Sequence, residues 1–293
     1  MHFVKTKERN LYSALRGLHH WFVTSILRKK ELEIEILELE LSFLLQAPTT
    51  FSFHIAKYQS WEGQITNWII SRFSDQNSLC FVDIGANFGW YSCLFSILGG
   101  EESKVFSVEP SPDNIFYLKK NINNNNLKNI SLYEGALGDK KSLLPLYQAN
   151  PKNPGAHSLI RNTPQQNLNT KFFQVEVNTL DSLFEDLEVI NLMKVDIEGY
   201  ELNALKGGKN TLKKVQNLLI EFSPHLWSDP YGDAKAFFKI LNDAGLKPNI
   251  LDSGSLKTIS SSEFKEILEF LKNENLNKIP FNKIQKDLIF TKS

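Results

Sequence analysis

The stretch FVDIGANFGWYS, residues 81–92, decides the fold class of this chain. It begins as a short apolar run, which is typical of a buried parallel strand, and then enters a turn that contains Gly85 and Gly89. Apolar residues at helical spacing follow, and Gly99 with its following glycine ends that helix. A strand, a glycine turn and a helix in this order predict the first unit of a parallel sheet.

The same alternation of strands and helices continues to the end of the chain. Strands are predicted at 79–84, 104–109, 130–135, 189–199, 217–223, 247–251 and 287–291. We therefore predict an α/β fold with one mostly parallel sheet and helices on both of its faces. Ligands of such sheets bind beyond the carboxyl ends of the strands, which directs attention to the turns after the first, second and fourth strands.

Acidic residues end the first two predicted strands, at Asp83 and Glu109. An acid at the position of Glu109 can accept hydrogen bonds from both hydroxyls of a ribose. A nicotinamide fingerprint would need glycine at 85, 87 and 90, where this chain has Gly85, Asn87 and Trp90. Asp83 instead suits a ligand that carries an ammonium group, such as the methionine part of S-adenosylmethionine.

The turn after the third predicted strand completes the expected cofactor site. Ala136 and Leu137 are placed to flank an adenine ring, with a backbone N–H on the base. A simple turn without a ligand is an equal alternative there. The predicted cofactor-binding residues are Asp83, Gly85, Ala86, Asn87, Gly89, Glu109, Ala136 and Leu137.

Composition argues against several classes of function. Lys and Arg together equal Asp and Glu at 33 each, so the zero net charge removes any global argument for nucleic acid binding. Cys80 and Cys93 form no metal-binding or disulfide pattern, and we expect reduced, buried thiols. We find neither a secretory signal nor an apolar run of transmembrane length, and expect a cytoplasmic protein.

Residues 1–50 are predicted to form a helical extension to one α/β domain over 51–293. Apolar spacing predicts a helix over 11–27, followed by three cations. This helix either makes a peripheral membrane contact or packs on the main domain or a second subunit, and we favour packing. We also predict a helix for ELEIEILELEL, residues 31–41, because Glu and Leu are helix formers, although the alternation resembles a strand. The sequence predicts no oligomeric state.

The stretch from 141 to 178 interrupts the strand–helix rhythm. LLPLYQ and FFQVEV predict two strands around a polar loop that contains His157. Two roles remain open for this insertion: a lid or acceptor-binding hairpin, or a surface excursion that makes no contact with substrate.

Six motifs together resemble those of the FkbM-type methyltransferases: FVDIGANFGWYS, SVEPSPDNIFYLKKNI, ALGD, NTLDSL, MKVDIEGYELNALKGG and LLIEFS. The first two are shared with many class I methyltransferases, whereas NTLDSL with KVDIEGYE is more specific to this family. The resemblance implies a seven-stranded class I methyltransferase sheet and S-adenosylmethionine as cofactor. It also implies O-methylation, commonly of sugar or polyketide hydroxyls. The residues that fall on the family's cofactor motifs are Asp83, Gly85, Asn87, Gly89 and Glu109.

The KVDIEGYE motif places acids at the end of the fourth strand, where we expect the acceptor. A base that removes the acceptor's hydroxyl proton would assist methyl transfer, and Asp196 is the first candidate. His157 and His225 are further catalytic candidates. The remaining acceptor-side candidates are Lys194, which shares a strand face with Asp196, and two acids, Glu198 and Glu201.

Other assignments remain open at this stage. Asp196 can alternatively bind a divalent metal with Glu198 or Glu221, or contact the amino group of the cofactor, although we predict no metal site. The expected partner is a hydroxyl-bearing small molecule or glycan, with an amine or protein acceptor as the alternative. A nucleotide-cofactor oxidoreductase and a non-catalytic binding or assembly protein are the competing classes of function.

Overall fold

A computed structural model of the protein describes residues 11–161, 163–166, 170–273 and 284–292. Its strands are β1 (Glu31–Ile36), β2 (Leu41–Gln46), β3 (Cys80–Ile84), β4 (Lys104–Glu109), β5 (Ile130–Glu134), β6 (Ala136–Leu137), β7 (Ser142–Tyr147), β8 (Phe172–Asn178), β9 (Leu192–Val195), β10 (Asn217–Phe222), β11 (Leu246–Asp252), β12 (Ser255–Thr258) and β13 (Lys286–Lys292). Its α-helices are α1 (Leu11–Trp21), α2 (Thr50–Tyr58), α3 (Gly63–Phe73), α4 (Trp90–Gly99), α5 (Pro112–Asn124), α6 (Leu180–Leu183), α7 (Glu201–Lys206), α8 (Pro230–Asp243) and α9 (Ser261–Asn273).

The main sheet has eight strands in the part of the chain that the structure describes, in the order β12-β11-β13-β10-β9-β3-β4-β5. The five strands from β10 to β5 in this order are parallel, and β13 runs antiparallel beside β10. This arrangement confirms the predicted mostly parallel sheet, with one strand more than the expected seven. The extra strand is β12. All of its residues are exposed and Leu256 is its single apolar residue, so no apolar run predicts the strand.

Alternate residues of the central strands face two separate hydrophobic cores. Val82 and Met193 pack in one core with α6, α7 and α8. Phe81 and Leu192 pack in the other with α3 and α4. Helices therefore cover both faces, as predicted, and the open carboxyl edge of the sheet is left for a ligand.

The helix predicted for residues 31–41 is wrong, because β1 and β2 form an antiparallel hairpin there. The two-residue period decides the outcome: β2 alternates buried and half-buried residues and turns Leu41, Phe43 and Leu45 into the core. The side chains of Asn121, in α5, and Asn125, directly after it, form hydrogen bonds with the backbone of the outward-facing residues of β2. Burial of one strand face outweighs the intrinsic helix preference of Glu and Leu.

The N-terminal helix predicted for residues 11–27 is present as α1, continued by a π-helical turn at Phe22–Ile26. It packs on α2, in agreement with the interpretation favoured from sequence. No helix among the described residues combines the length and apolar character needed to cross a bilayer. Both cysteines are free, with Cys93 buried and Cys80 half-buried.

The insertion forms a small sheet of its own beside the main one. As predicted, β7 and β8 pair antiparallel, and β6 adds in parallel to β8. The loop between β7 and β8 reaches back over the carboxyl edge of the main sheet. There Thr50 N–H donates to the carbonyl of Lys152 at 2.8 Å, and the Asn114 side chain lies 3.4 Å from the carbonyl of Pro154.

Candidate active site

A cleft lies at the carboxyl ends of β3, β4 and β9, under the inserted loop. The structure brings eight of the residues singled out from sequence to the cleft wall: Gly85, Asn87, Glu109, Ala136, Leu137, His157, Asp196 and Glu198.

Gly85 is the point where the loops after β3 and β9 touch. Its φ is +80°, and a Cβ at this position would lie 1.9 Å from the backbone carbonyl oxygen of Asp196. Both the left-handed backbone and the close approach require glycine. This contact fixes the distance between the carboxyl ends of β3 and β9 at the cleft.

Gly89, one of the predicted cofactor-binding residues, lies where α4 packs on α5. It has a φ of +91° at the start of α4, and a Cβ would lie 2.4 Å from the Leu118 side chain of α5. Gly89 does not line the cleft, and neither does Ala86, which is buried. The glycine is needed because α4 and α5 approach closely here.

We predict that Gly85→Ala destabilises the fold by about 2–4 kcal/mol, because the substitution adds backbone strain and a clash with the β9 loop. Urea unfolding measures the free energy. Gly245→Ala is the matched control, since Gly245 has the same φ as Gly85, +80°, but a Cβ there meets nothing within 4 Å. The control should cost about 1–2 kcal/mol. Equal losses in the two variants would show that the loop contact does not matter.

Glu109 lies buried at the end of β4 and is held in place by three donors. Its Oε2 accepts the backbone N–H of Asn87 at 2.8 Å, and its Oε1 accepts the N–H of Ser111 at 2.9 Å and the side chain of Asn114 at 3.3 Å. Burial raises the pKa of Glu109 to about 7 despite these hydrogen bonds. Each carboxylate oxygen can accept more than one hydrogen bond, so the group is pre-oriented and still able to receive a ligand's hydroxyls.

Asp83 lies behind the cleft wall, although the sequence predicted that it points into the crevice. Its Oδ2 accepts from Ser92 Oγ at 2.6 Å, and Ser107 Oγ donates in turn to Ser92 at 2.7 Å. Burial raises the pKa of Asp83, partly offset by Lys194. Its Oδ1 is buried and has no hydrogen-bond partner among the described residues.

Lys194 in β9 and Asp196 directly after it point to the same side of the sheet, as predicted from their spacing. The Lys194 Nζ lies 2.9 Å from Asp196 Oδ2 and 4.9 Å from the centre of the Tyr91 ring. Lys194 is buried, which alone would favour its neutral form. Three carboxylates, of Asp196, Glu62 and Asp83, outweigh this effect and raise the pKa of the amine. The buried ammonium orients the Asp196 carboxylate at the cleft wall.

Glu62 belongs to this site and was missed from sequence. Tyr91 donates its hydroxyl hydrogen to Glu62 Oε2 at 2.6 Å, and burial raises the pKa of Glu62. Glu62 precedes α3 with a φ of 43°, a strained conformation for a residue other than glycine. It comes from outside the strand–turn motifs, so its role depends on how α3 packs on α4. No sequence signal pointed to it.

The loop after β9 is held by Glu201, which corrects its expected place on the acceptor side. Glu201 is fully buried, and its Oε1 accepts the backbone N–H groups of Ile197 and Gly199 at 3.1 and 3.0 Å. Burial raises the pKa of Glu201 to about 7. Glu201 therefore holds the loop in place through its buried side, by accepting these two backbone hydrogen bonds. Glu198, at the tip of that loop, has a φ of 54° and lines the cleft.

The two candidate histidines are placed differently. His157 lines the cleft, and its Nδ1 accepts the backbone N–H of Ala149 at 2.9 Å. Burial lowers the pKa of His157, so the neutral ring carries its hydrogen on Nε2. His157 can thus donate a hydrogen bond in the cleft, and its acceptor nitrogen is already engaged. His225 follows β10 and does not line the cleft.

The cleft also includes residues that sequence reasoning did not name. They are Pro110, directly after β4; Asn114 of α5; Leu146, Gly155 and Leu159 of the insertion; and Tyr200, directly before α7. A Cβ on Gly155 would lie 2.5 Å from the Asn87 side chain, which shows how closely the insertion covers the turn after β3. The polar loop composition of 148–171 suggested a lid but indicated none of these contacts.

The metal alternative finds no geometric support in the described ranges, where no three His, Cys, Asp or Glu side chains are arranged to hold an ion. Glu221, one of the ligands considered, is buried and accepts hydrogen bonds from Ser223 and Gln285. Burial together with neighbouring carboxylates raises the pKa of Glu221 well above its usual value. Its environment favours the protonated form, which is a poor metal ligand.

The chain is similar in sequence to known methyltransferases. The sequence matches the Methyltransferase FkbM domain over residues 83–278. It is 29% identical over 170 residues to the hexuronic acid methyltransferase AglP of Haloferax volcanii, in an alignment that covers 57% of this chain. The chain thus spans 63% of the length of that relative, less than two thirds.

Among solved structures, Methyltransferase FkbM from Methylobacillus flagellatus KT aligns with a TM-score of 0.42 and 16% identity, over 73% of this chain and 44% of that one. Fibrillarin from Aeropyrum pernix, which holds natively bound S-adenosyl-L-methionine, aligns with a TM-score of 0.36 and 13% identity, over 62% of this chain and 65% of that one.

The family match begins at Asp83 and includes Glu109, Asp196 and the loop that Glu201 holds. It therefore covers the strand ends that build the cleft, and it extends over more than half of the chain. The protein belongs to the FkbM methyltransferase family.

Proposed function

We propose that this protein is an S-adenosylmethionine-dependent O-methyltransferase that acts on a hydroxyl of a sugar, glycan or related small molecule. The observation that carries the proposal is the pairing of two groups in one cleft. Glu109 offers a pre-oriented carboxylate at one strand end, and Asp196, held by a buried ammonium, lies at another. The first suits a ribose, and the second suits a reacting hydroxyl.

The residues present fit S-adenosylmethionine. Glu109 would receive the ribose hydroxyls, and Ala136 with Leu137 would flank the adenine ring. Asp196 lines the other end of the cleft, where an acidic side chain suits a positively charged cofactor.

When bound, S-adenosylmethionine supplies a methyl group on a positively charged sulfur, ready for displacement by an oxygen nucleophile. The chain's own task is to align the acceptor hydroxyl and to take its proton. Asp196 fits this task because its carboxylate faces the cleft and Lys194 fixes its direction. His157 Nε2–H is available to hold the acceptor or the cofactor by donating a hydrogen bond.

The acceptor class follows from the family and from one relative. The relative from Haloferax volcanii is named a hexuronic acid methyltransferase, and it is 29% identical to this chain over the aligned region. A hexuronic acid carries hydroxyls, for which a base such as Asp196 is useful, and also a carboxylate, which needs no base to accept a methyl group. A sugar or glycan acceptor is therefore the first class to test.

The test combines binding and transfer. Purified protein is titrated calorimetrically with S-adenosylhomocysteine and then incubated with methyl-tritiated S-adenosylmethionine and a panel of hexuronic acids, neutral hexoses and amines. We expect micromolar binding, about −8 kcal/mol, and tritium on a sugar hydroxyl. Folded protein that binds neither compound would contradict the proposal. Transfer to an amine alone would contradict its O-methyl part, and an assay arm with EDTA tests the metal alternative.

A further inference from the structure

Helix α1 packs on the protein through its polar face. The residues that it and the following turn bury include Ser13, Gly17, His20 and Thr24. His20 Nε2 lies 3.1 Å from Ser52 Oγ of α2, and Arg16 Nε donates to the carbonyl of Lys57 at 3.1 Å. These contacts fix which way the helix faces. The opposite face of α1 is therefore held toward the outside of the protein by these contacts.

The outward face is apolar. Large side chains stand at helical spacing from Leu11 to Ile26 and are between 46% and 71% exposed: Leu11, Leu15, Leu18, Trp21, Phe22 and Ile26. A surface helix of a globular protein normally turns such residues into the core. A continuous exposed apolar stripe of this kind marks an interaction surface.

The charges of this segment indicate what binds the exposed apolar face of α1. Between Leu11 and Lys30 the sequence contains four cations and no acid, and acids resume only at Glu31. Three of these cations, Arg28, Lys29 and Lys30, are consecutive and exposed directly after the apolar stripe. An anionic lipid surface complements both features, because it accepts apolar side chains and attracts the cations. A second copy of the same segment offers the cations no partner.

We propose that the segment 11–30 docks this protein on an anionic membrane surface, with α1 lying in the plane of the interface. The aromatic rings of Trp21 and Phe22 then lie at the headgroup level, where such side chains are favoured. This inference is independent of the methyl-transfer proposal, since it uses none of the residues of the cleft.

Co-sedimentation of the full chain with vesicles tests the proposal. We expect binding to vesicles of phosphatidylcholine with phosphatidylglycerol at 3:1, and little binding to phosphatidylcholine alone. Leu15→Glu with Leu18→Glu should abolish binding, because both side chains would have to enter the lipid as charges. Lys29→Glu with Lys30→Glu should weaken it about tenfold or more. Leu143→Glu is the matched control, since Leu143 and Leu18 are both 61% exposed.

Thermal unfolding and S-adenosylhomocysteine titration of each variant show whether the fold is kept, since all five substituted positions are exposed and outside the cleft. Wild-type protein that ignores the anionic vesicles overturns the proposal. Vesicle binding that survives Leu15→Glu with Leu18→Glu also overturns it. A wild-type dimer in analytical ultracentrifugation that this double variant converts to monomer, without vesicle binding, would assign the face to a second copy instead.

Discussion

Replacing Glu109 by alanine is expected to lower the affinity for S-adenosylmethionine more than 100-fold. Two hydrogen bonds from ribose hydroxyls to a charged group are lost, each worth about 1.5–3 kcal/mol. In addition, the backbone N–H groups of Asn87 and Ser111 lose their acceptor, which loosens the turn after β3. Calorimetric titration with S-adenosylhomocysteine measures the loss directly and needs no acceptor.

Glu134→Ala is the matched control for this variant. Glu134 ends β5, the strand next to β4, and pairs with Glu109 in the sheet register. Its side chain is half exposed, bonds Lys119 at the surface and lies outside the cleft. Affinity should stay within about threefold of wild type, since exposed ion pairs contribute little. Equal losses in the two variants, or none in either, would remove Glu109 from the cofactor site.

The pH dependence of binding provides a second readout of the same residue. Burial raises the pKa of Glu109 to about 7, so in the ligand-free protein its charged fraction grows between pH 6 and pH 8. A protonated carboxyl is a weaker acceptor for ribose hydroxyls. Affinity for S-adenosylhomocysteine should therefore rise over this interval in the wild type. In Glu109→Gln, which has no proton to lose, the rise should be reduced.

Asp196→Asn is expected to lower kcat about 10²–10⁴-fold while leaving the affinity for S-adenosylhomocysteine nearly unchanged. Asparagine keeps the shape and can still accept a hydrogen bond from Lys194, but it cannot take the acceptor's proton. Initial rates of tritium transfer to the sugar acceptor measure kcat, and calorimetry measures the affinity. The separation of the two quantities distinguishes a base from a cofactor contact.

Asp287→Asn is the control for the change of charge. Asp287 acts electrostatically on Lys194 but does not line the cofactor cleft, and burial raises its pKa to about 7. Its kcat should fall less than about tenfold, because no proton is transferred to it. Full activity in Asp196→Asn would exclude Asp196 as the base. Loss of S-adenosylhomocysteine binding in that variant would assign Asp196 to the amino group of the cofactor.

Sequence reasoning located the candidate cleft because strand ends can be recognised locally. An apolar run followed by a turn marks each end, and Glu109 and Asp196 come directly after such runs. Parallel strands bring their carboxyl ends to one edge, so residues far apart in the chain could be assigned to one site. Sequence reasoning did not reveal the contact between Gly89 and Leu118 of α5, because no local pattern shows a contact with another helix.

The mostly parallel sheet, its helical layers and the strand-end acids could be predicted from the amino-acid sequence, because they depend on periodicities of a few residues. Three other features were set by the tertiary structure. It made residues 31–46 a hairpin by burying one face of β2, and it brought Glu62 to Tyr91 beside Lys194. It also turned the apolar side of α1 outward. Each of these depends on which surfaces meet, and packing between distant segments, rather than local preference, selects among them.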